Sequence, residues 1–187
     1  MNAPVDYMPE FVPEPDSVFA ALQQELDWER RSDAPRCEYY SNDTDVAYTY
    51  GRGAGVRTYH PRPWHPTMLA IRTALETELG CVLDVCFLNR YMDASDWLGW
   101  HSDDSPEMDD ARPIVTVSLG AERNIQFKRH GEGNANADTL MLGHGSAAVM
   151  RAGMQREWQH RIPKVGHEVG ERISLTYRGF TETKDQL

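Results

Sequence analysis

Arg172-Ile173-Ser174-Leu175-Thr176-Tyr177-Arg178 alternates polar and apolar side chains, and a period of two is that of a strand with one face turned to a core. Ile173, Leu175 and Tyr177 share the apolar face, while Arg172, Ser174, Thr176 and Arg178 share the other. A solvent-facing strand would also be polar there, but a guanidinium is seldom placed inside a protein without an anionic partner. Further strand patterns, broken by Gly, Pro and Asn, fall at 83–91, 113–119, 123–128, 138–142, 146–151 and 157–162. Short strands with such punctuation predict a mainly β domain of the sandwich or jelly-roll type.

Two helical patterns precede these strands. Asp16 or Ser17 is expected to cap a helix running to about Arg30, with Val18, Phe19, Leu22 and Leu26 on one side. The second starts at Pro66, carries Met68, Leu69, Ile71, Leu75 and Leu79, and ends at Gly80. Both are expected to buttress a sheet. The first fifteen residues hold four prolines and read as an irregular arm. Residues 129–138 read as a hairpin loop rather than a phosphate cradle.

At 187 residues the chain is expected to form one domain with a sizeable core. No apolar run approaches a membrane span and no signal-like segment opens the chain, so a cytoplasmic location and no membrane partner are expected. The three cysteines, Cys37, Cys81 and Cys86, lack metal-type spacing and read as reduced thiols. The net charge of -10 argues against a simple electrostatic binder of nucleic acid. That charge is uneven. Residues 1–50 carry 11 acids and 3 bases, whereas Val46 to Leu75 holds no acid and four arginines. Further along, Lys128, Arg129, Arg151, Arg156, Arg161 and Lys164 are either backbone contacts or solvated surface.

The chemistry centres on His101-Ser102-Asp103-Asp104. A histidine and a carboxylate at i and i+2 of an extended segment project from one face. One His-x-Asp arises by chance in roughly every second chain of this composition, so its neighbours decide its meaning. His160 lies just before the arginine strand and offers a second imidazole. Two histidines and one carboxylate make the facial triad of non-haem Fe(II) oxygenases, which leaves open coordination positions. Asn89 and Tyr91 share a strand face with Leu83, Val85 and Phe87, and both side chains can hydrogen-bond a carboxylate.

These residues resemble the AlkB family of Fe(II)- and 2-oxoglutarate-dependent nucleic-acid dealkylases. The resemblance rests on Asn89-Arg90-Tyr91, His101-Ser102-Asp103-Asp104, the Pro113–Gly120 strand, His160, and Arg172 through Arg178, which follow in the family's order and spacing. It implies a double-stranded β-helix, or jelly-roll, core over 83–181. Residues 1–82 would supply the arm, the buttressing helices and a nucleotide-recognition lid. It further implies that His101, Asp103 and His160 bind iron, with 2-oxoglutarate and O2 as cosubstrates. Arg172 and Tyr91 would take the distal carboxylate of 2-oxoglutarate, and Arg178 and Asn89 the end that chelates the metal. Thr176 matches the family, whereas Ser174 replaces a common asparagine. Asp104 resembles an acid that reads the exocyclic group of a damaged base.

The stretch Tyr48 to Gly55 mixes aromatics, arginine and glycine. It is either a β-hairpin with core-packed tyrosines or a lid that stacks an extruded base. The resemblance implies Tyr50 first and Tyr48 second as the stacking residue, while Trp64, Trp97 and Trp100 are expected to pack rather than touch substrate. The implied activity is oxidative dealkylation of N-alkylated bases, in DNA with RNA as the alternative, by a monomer that releases formaldehyde, succinate and CO2. Two other classes stay open: a 2-oxoglutarate-dependent hydroxylase of a protein, small molecule or modified base, and a metal-dependent binding module without turnover.

Overall fold

The computed structural model describes residues 1–31, 34–44, 46–50 and 56–181, with the side chain of Tyr50 outside that description. The strands are β1 (Val5–Met8), β2 (Cys37–Asn42), β3 (Tyr48–Tyr50), β4 (Arg57–Tyr59), β5 (Val85–Tyr91) and β6 (Leu98–His101). They continue as β7 (Ile114–Gly120), β8 (Arg123–Arg129), β9 (Asp138–Leu142), β10 (Ser146–Met150), β11 (Trp158–Ile162) and β12 (Arg172–Arg178). A six-stranded sheet runs β1-β10-β7-β12-β5-β2, a four-stranded sheet runs β6-β11-β8-β9, and β3-β4 forms a hairpin. All pairings are antiparallel.

Alternation along β12 sets the layers. Its Ile173, Leu175 and Tyr177 are fully buried with Leu22 and Leu26, and with Met68, Ile71 and Leu75 from the two helices. A large aliphatic side chain so buried contributes about 1.5–3 kcal/mol, so the helices α1 (Pro15–Glu25) and α2 (Pro66–Leu79) are held as a layer on this face. On the other face Tyr91, Ile114, Ala148 and Met150 of the large sheet meet Ile125, Phe127, Leu142, Trp158 and Ile162 of the small sheet. The result is a jelly roll backed by two helices, with the polar face of β12 between the sheets.

One helix matches expectation at both ends and the other departs from it at both. α2 begins at Pro66 and closes with the Gly80 N–H donating to Glu76 O, as the sequence predicts. α1 starts earlier, at Pro15, because proline suits the first helical position, and Glu14 stands before it with no side-chain cap. It also stops at Glu25 instead of Arg30. The chain then runs along β2, where Glu29 and Glu38 exchange backbone hydrogen bonds of 3.1 and 2.8 Å.

Besides the β3-β4 hairpin and the short β6, two strands lie where the sequence offers no strand pattern. β1 sits in the proline-rich arm and pairs with β10, and β2 pairs with β5. Residues 1–82 therefore supply both edges of the large sheet, and a core confined to 83–181 is too narrow a boundary. Leu83 precedes β5 and packs on the helix side, away from the face of Asn89 and Tyr91. All three cysteines are free thiols. Among the described residues no helix is long and apolar enough to cross a membrane.

Candidate active site

β6 and β11 are paired with His101 opposite His160, so two imidazoles from distant segments meet across one rung. Their ring centroids are 4.2 Å apart. Asp103, just past the end of β6, points between them: Oδ1 is 3.8 Å from His101 Nε2 and Oδ2 is 3.7 Å from His160 Nε2. The three offer ligand atoms that lie within 4.8 Å of one another.

The protonation state suits a cation. Burial pushes the His101 pKa down against the pull of Asp103, and burial together with the neighbouring His101 takes His160 to about 3. Burial alone would raise the Asp103 pKa, but Arg178 and the two imidazoles outweigh it and hold the carboxyl ionised. Neutral imidazoles and a carboxylate are the forms that ligate metal. His101 Nδ1 lies 2.9 Å from Gly99 O, which keeps the proton there and leaves Nε2 as the lone-pair nitrogen. Asp103 Oδ2 has no hydrogen-bond donor among the described residues.

The strand order brings the polar face of β12 to this cluster. β12 lies between β5 and β7, with Arg172 opposite Tyr91, Ser174 opposite Asn89 and Ser118, and Thr176 opposite Phe87 and Thr116. Arg172 is 0% exposed. Its Nε donates to Ser118 Oγ at 2.7 Å, while neither Nη1 nor Nη2 has an acceptor in hydrogen-bonding geometry among the described residues. Tyr91 stands alongside, its ring centroid 5.2 Å from Arg172 Cζ. Burial lowers the Arg172 pKa to about 10. A buried cation with two idle donors is unfavourable unless an anion completes it, and a carboxylate matches that fork. Arg178 sits at the other end of the strand and pairs with Asp103 Oδ1 at 2.8 Å.

The wall beside the His101–Asp103–His160 cluster includes Tyr48, Tyr59, Phe87, Asn89 and Leu98. Tyr48 is buried and stacks on Tyr40 and Tyr59 in the β3-β4 hairpin, with its hydroxyl 2.7 Å from Ser105 Oγ. The hairpin with a packed tyrosine is thus what Tyr48 forms, although it still faces the pocket. Tyr50 lies on β3, but its side chain, like Gly51 to Gly55, lies outside the described residues. Asp104 does not line this pocket. It is exposed in an adjoining cleft with Ser105, His130, Gln155 and Arg156, which shares Asp103 with the pocket.

Four site residues escaped the sequence reading. Arg36 Nε donates to Asn89 Oδ1 at 2.5 Å and its Nη2 meets Glu38 at 2.9 Å, so Asn89 is held from the residue that leads into β2. No strand pattern announced β2, which hid both residues. Gln155 Oε1 accepts from the Asp103 backbone N–H at 3.0 Å and fixes the carboxylate's loop. Arg123 is buried, with Cζ 5.5 Å from the Tyr91 centroid and Nη2 donating to the carbonyls of Asp96 and Pro163. Here a signal existed: Arg123 shares the inward face of β8 with Ile125 and Phe127.

Over residues 14–178 the chain matches the family model described as the 2OG-Fe(II) oxygenase superfamily. It is 31% identical over 181 residues to the alpha-ketoglutarate-dependent dioxygenase alkB homolog 3 of Bos taurus, a match covering 88% of this chain and 61% of that protein. It is 29% identical to the DNA oxidative demethylase ALKBH2 of Homo sapiens, over 91% of this chain and 70% of the relative. The chain thus spans less than two thirds of the bovine protein. The solved structure of OsALKBH1 superposes with a TM-score of 0.69, covering 96% of this chain and 98% of the other, at 14% identity. At that identity the likeness is one of fold.

Proposed function

Because the chain belongs to the 2OG-Fe(II) oxygenase superfamily, as an AlkB-like member whose family uses Fe(II), 2-oxoglutarate and O2, we propose that it oxidatively removes alkyl groups from nucleobase nitrogens. DNA is the first substrate class, since one relative is named a DNA oxidative demethylase, and RNA is the second. The observation that carries the proposal is the pairing of the His101–Asp103–His160 cluster with the two idle Nη donors of Arg172, beside an aromatic-walled pocket.

The residues fit the family's cofactor and cosubstrate. His101, Asp103 and His160 would hold iron, which with 2-oxoglutarate and dioxygen supplies the oxidising power to hydroxylate a C–H bond. Arg172 would receive the distal carboxylate on Nη1 and Nη2, with Tyr91 beside it, and Ser174 and Thr176 line the strand between the two arginines. Arg178, tied to Asp103, orients that ligand and places positive charge at the metal-facing end, where Asn89 stands fixed by Arg36. Tyr48, Tyr59 and Phe87 give a base flat, water-excluding walls. Hydroxylation of an N-methyl carbon leaves a hemiaminal that breaks down to formaldehyde and the restored base. Asp104, outside this pocket, would meet the nucleic acid at its rim rather than the base edge.

The test supplies Fe(II), ascorbate and 2-oxoglutarate to the protein with oligonucleotides carrying 1-methyladenine or 3-methylcytosine. Formaldehyde release matched by succinate is expected. Succinate formed without loss of methyl from any oligonucleotide would transfer the chemistry to another substrate class, and no succinate at all would leave a binding module.

A further inference from the structure

Most cations of this acidic chain are already paired. Among the described residues, the lysines and arginines without a salt bridge are Arg123 and Arg172 in the interior, and Lys128, Arg161 and Lys164 on the surface. Those three surface cations fall in one place. Lys128 Nζ and Arg161 Cζ each lie 4.6 Å from the ring of Trp100, and Lys164 Nζ lies 5.6 Å from the ring of Trp97.

The placement follows from strand parity. His101 and His160 turn inward to the metal cluster, so their neighbours Trp100 and Arg161 turn outward from β6 and β11, as Lys128 does beside Phe127 on β8. Trp97, Trp100, Arg161 and Lys164 line an open groove of about 460 Å³, and no acidic residue lines it. Trp97 is 38% exposed. Leu98 belongs both to this groove and to the pocket beside the metal cluster. β6 is the edge strand of the small sheet, so the pocket mouth and the groove are separated by one strand.

We propose that this groove holds the nucleotides flanking the target base, with Arg161, Lys164 and Lys128 on phosphates and Trp97 as a stacking platform. It rests on the nucleobase-dealkylation reading and extends it to how the strand is gripped. Exposed aromatics between unpaired cations are the means by which single strands are bound without regard to sequence. The groove reconciles the net charge of -10 with a polyanionic substrate, because the acids are absent where the strand would lie. On this reading Trp97, expected from the sequence only to pack, would also meet the substrate.

The test measures binding of an unmethylated single-stranded oligonucleotide across a salt series, and in parallel turnover of a methylated oligonucleotide and a methylated mononucleotide. Trp97→Ala is expected to weaken oligonucleotide binding on the order of tenfold. Arg161→Gln with Lys164→Gln is expected to weaken it and to reduce the slope of log affinity against log salt by about 1.4, at about 0.7 per lost phosphate contact on a single strand. Mononucleotide turnover should be unchanged in both. Unaltered oligonucleotide affinity and salt slope in the double variant overturn the groove, whatever the turnover shows. Failure of the unsubstituted protein to demethylate any oligonucleotide overturns the dealkylation reading instead, and is read from the other arm.

Discussion

Asp103 is the residue on which the most depends, since it faces both imidazoles and Arg178 while only 3% exposed. Asp103→Asn keeps the shape but removes the charge, and it should abolish Fe(II)-dependent succinate formation. It should also lower the melting temperature, because breaking a buried pair costs about 3–5 kcal/mol. Wild-type turnover in that variant would remove Asp103 from the ligand set. At the other end of β12, Arg172→Lys replaces a fork by a point charge. Losing one charge-assisted hydrogen bond costs about 1.5–3 kcal/mol, so the KM for 2-oxoglutarate should rise on the order of ten- to a hundredfold with melting little changed. The imidazoles predict a pH dependence. Burial keeps His160 near about 3 and His101 below its ordinary value, whereas in the unfolded chain both titrate near about 6.5. In that window the unfolded chain binds more protons, so stability of the metal-free protein falls as pH drops from about 6.5 toward about 3. His160→Gln should flatten the melting temperature against pH; an unchanged profile would mean that the imidazole is not shielded.

Each ligand depends on the element beneath it. Gln155, in the one-turn helix Met154–Arg156, holds the Asp103 backbone, and Gln155→Ala should weaken Co(II) or Fe(II) affinity about ten- to a hundredfold, as loss of an outer partner does. Gly120 ends β7 at φ +85°, where an added Cβ would stand 2.4 Å from Glu171 O and 2.8 Å from the Phe19 ring. Gly120→Ala should therefore destabilise the sheet against α1 by more than about 1 kcal/mol in a denaturant melt. The elements differ in how much of this the sequence revealed. β5, β7, β8 and β12 were legible because each alternates or runs apolar between Gly and Pro, and they carry Asn89, Tyr91, Arg123 and both clamp arginines. β2 was not, because Cys37 to Asn42 shows no alternation of apolar and polar side chains, and the burial of Glu38, Ser41 and Asn42 depends on pairing with β5 across a long separation. β1 was masked by prolines on either side, which an edge strand tolerates. Arg36 and Gln155 were hidden for the same reason: their roles are long-range, and no local pattern marks a residue that will touch a site from outside it.

At the scale of the whole molecule, helices cover one face of the large sheet, and the small sheet covers the other. The His101–Asp103–His160 cluster lies between the sheets, where β6, β11 and the polar face of β12 converge. The arrangement keeps hydrophobic burial and polar side chains on opposite sides of one strand, so Ile173, Leu175 and Tyr177 stabilise the fold while Arg172 and Arg178 lie on the face turned to the small sheet. The central claim is that this site uses iron and 2-oxoglutarate to strip alkyl groups from nucleobases. Mass spectrometry of a 1-methyladenine or 3-methylcytosine oligonucleotide, incubated with Fe(II) and 2-oxoglutarate, tests it most directly. Loss of the methyl group with one succinate per base restored is expected, and no loss with Asp103→Asn. Retention of every methyl while the same protein converts 2-oxoglutarate to succinate would contradict it.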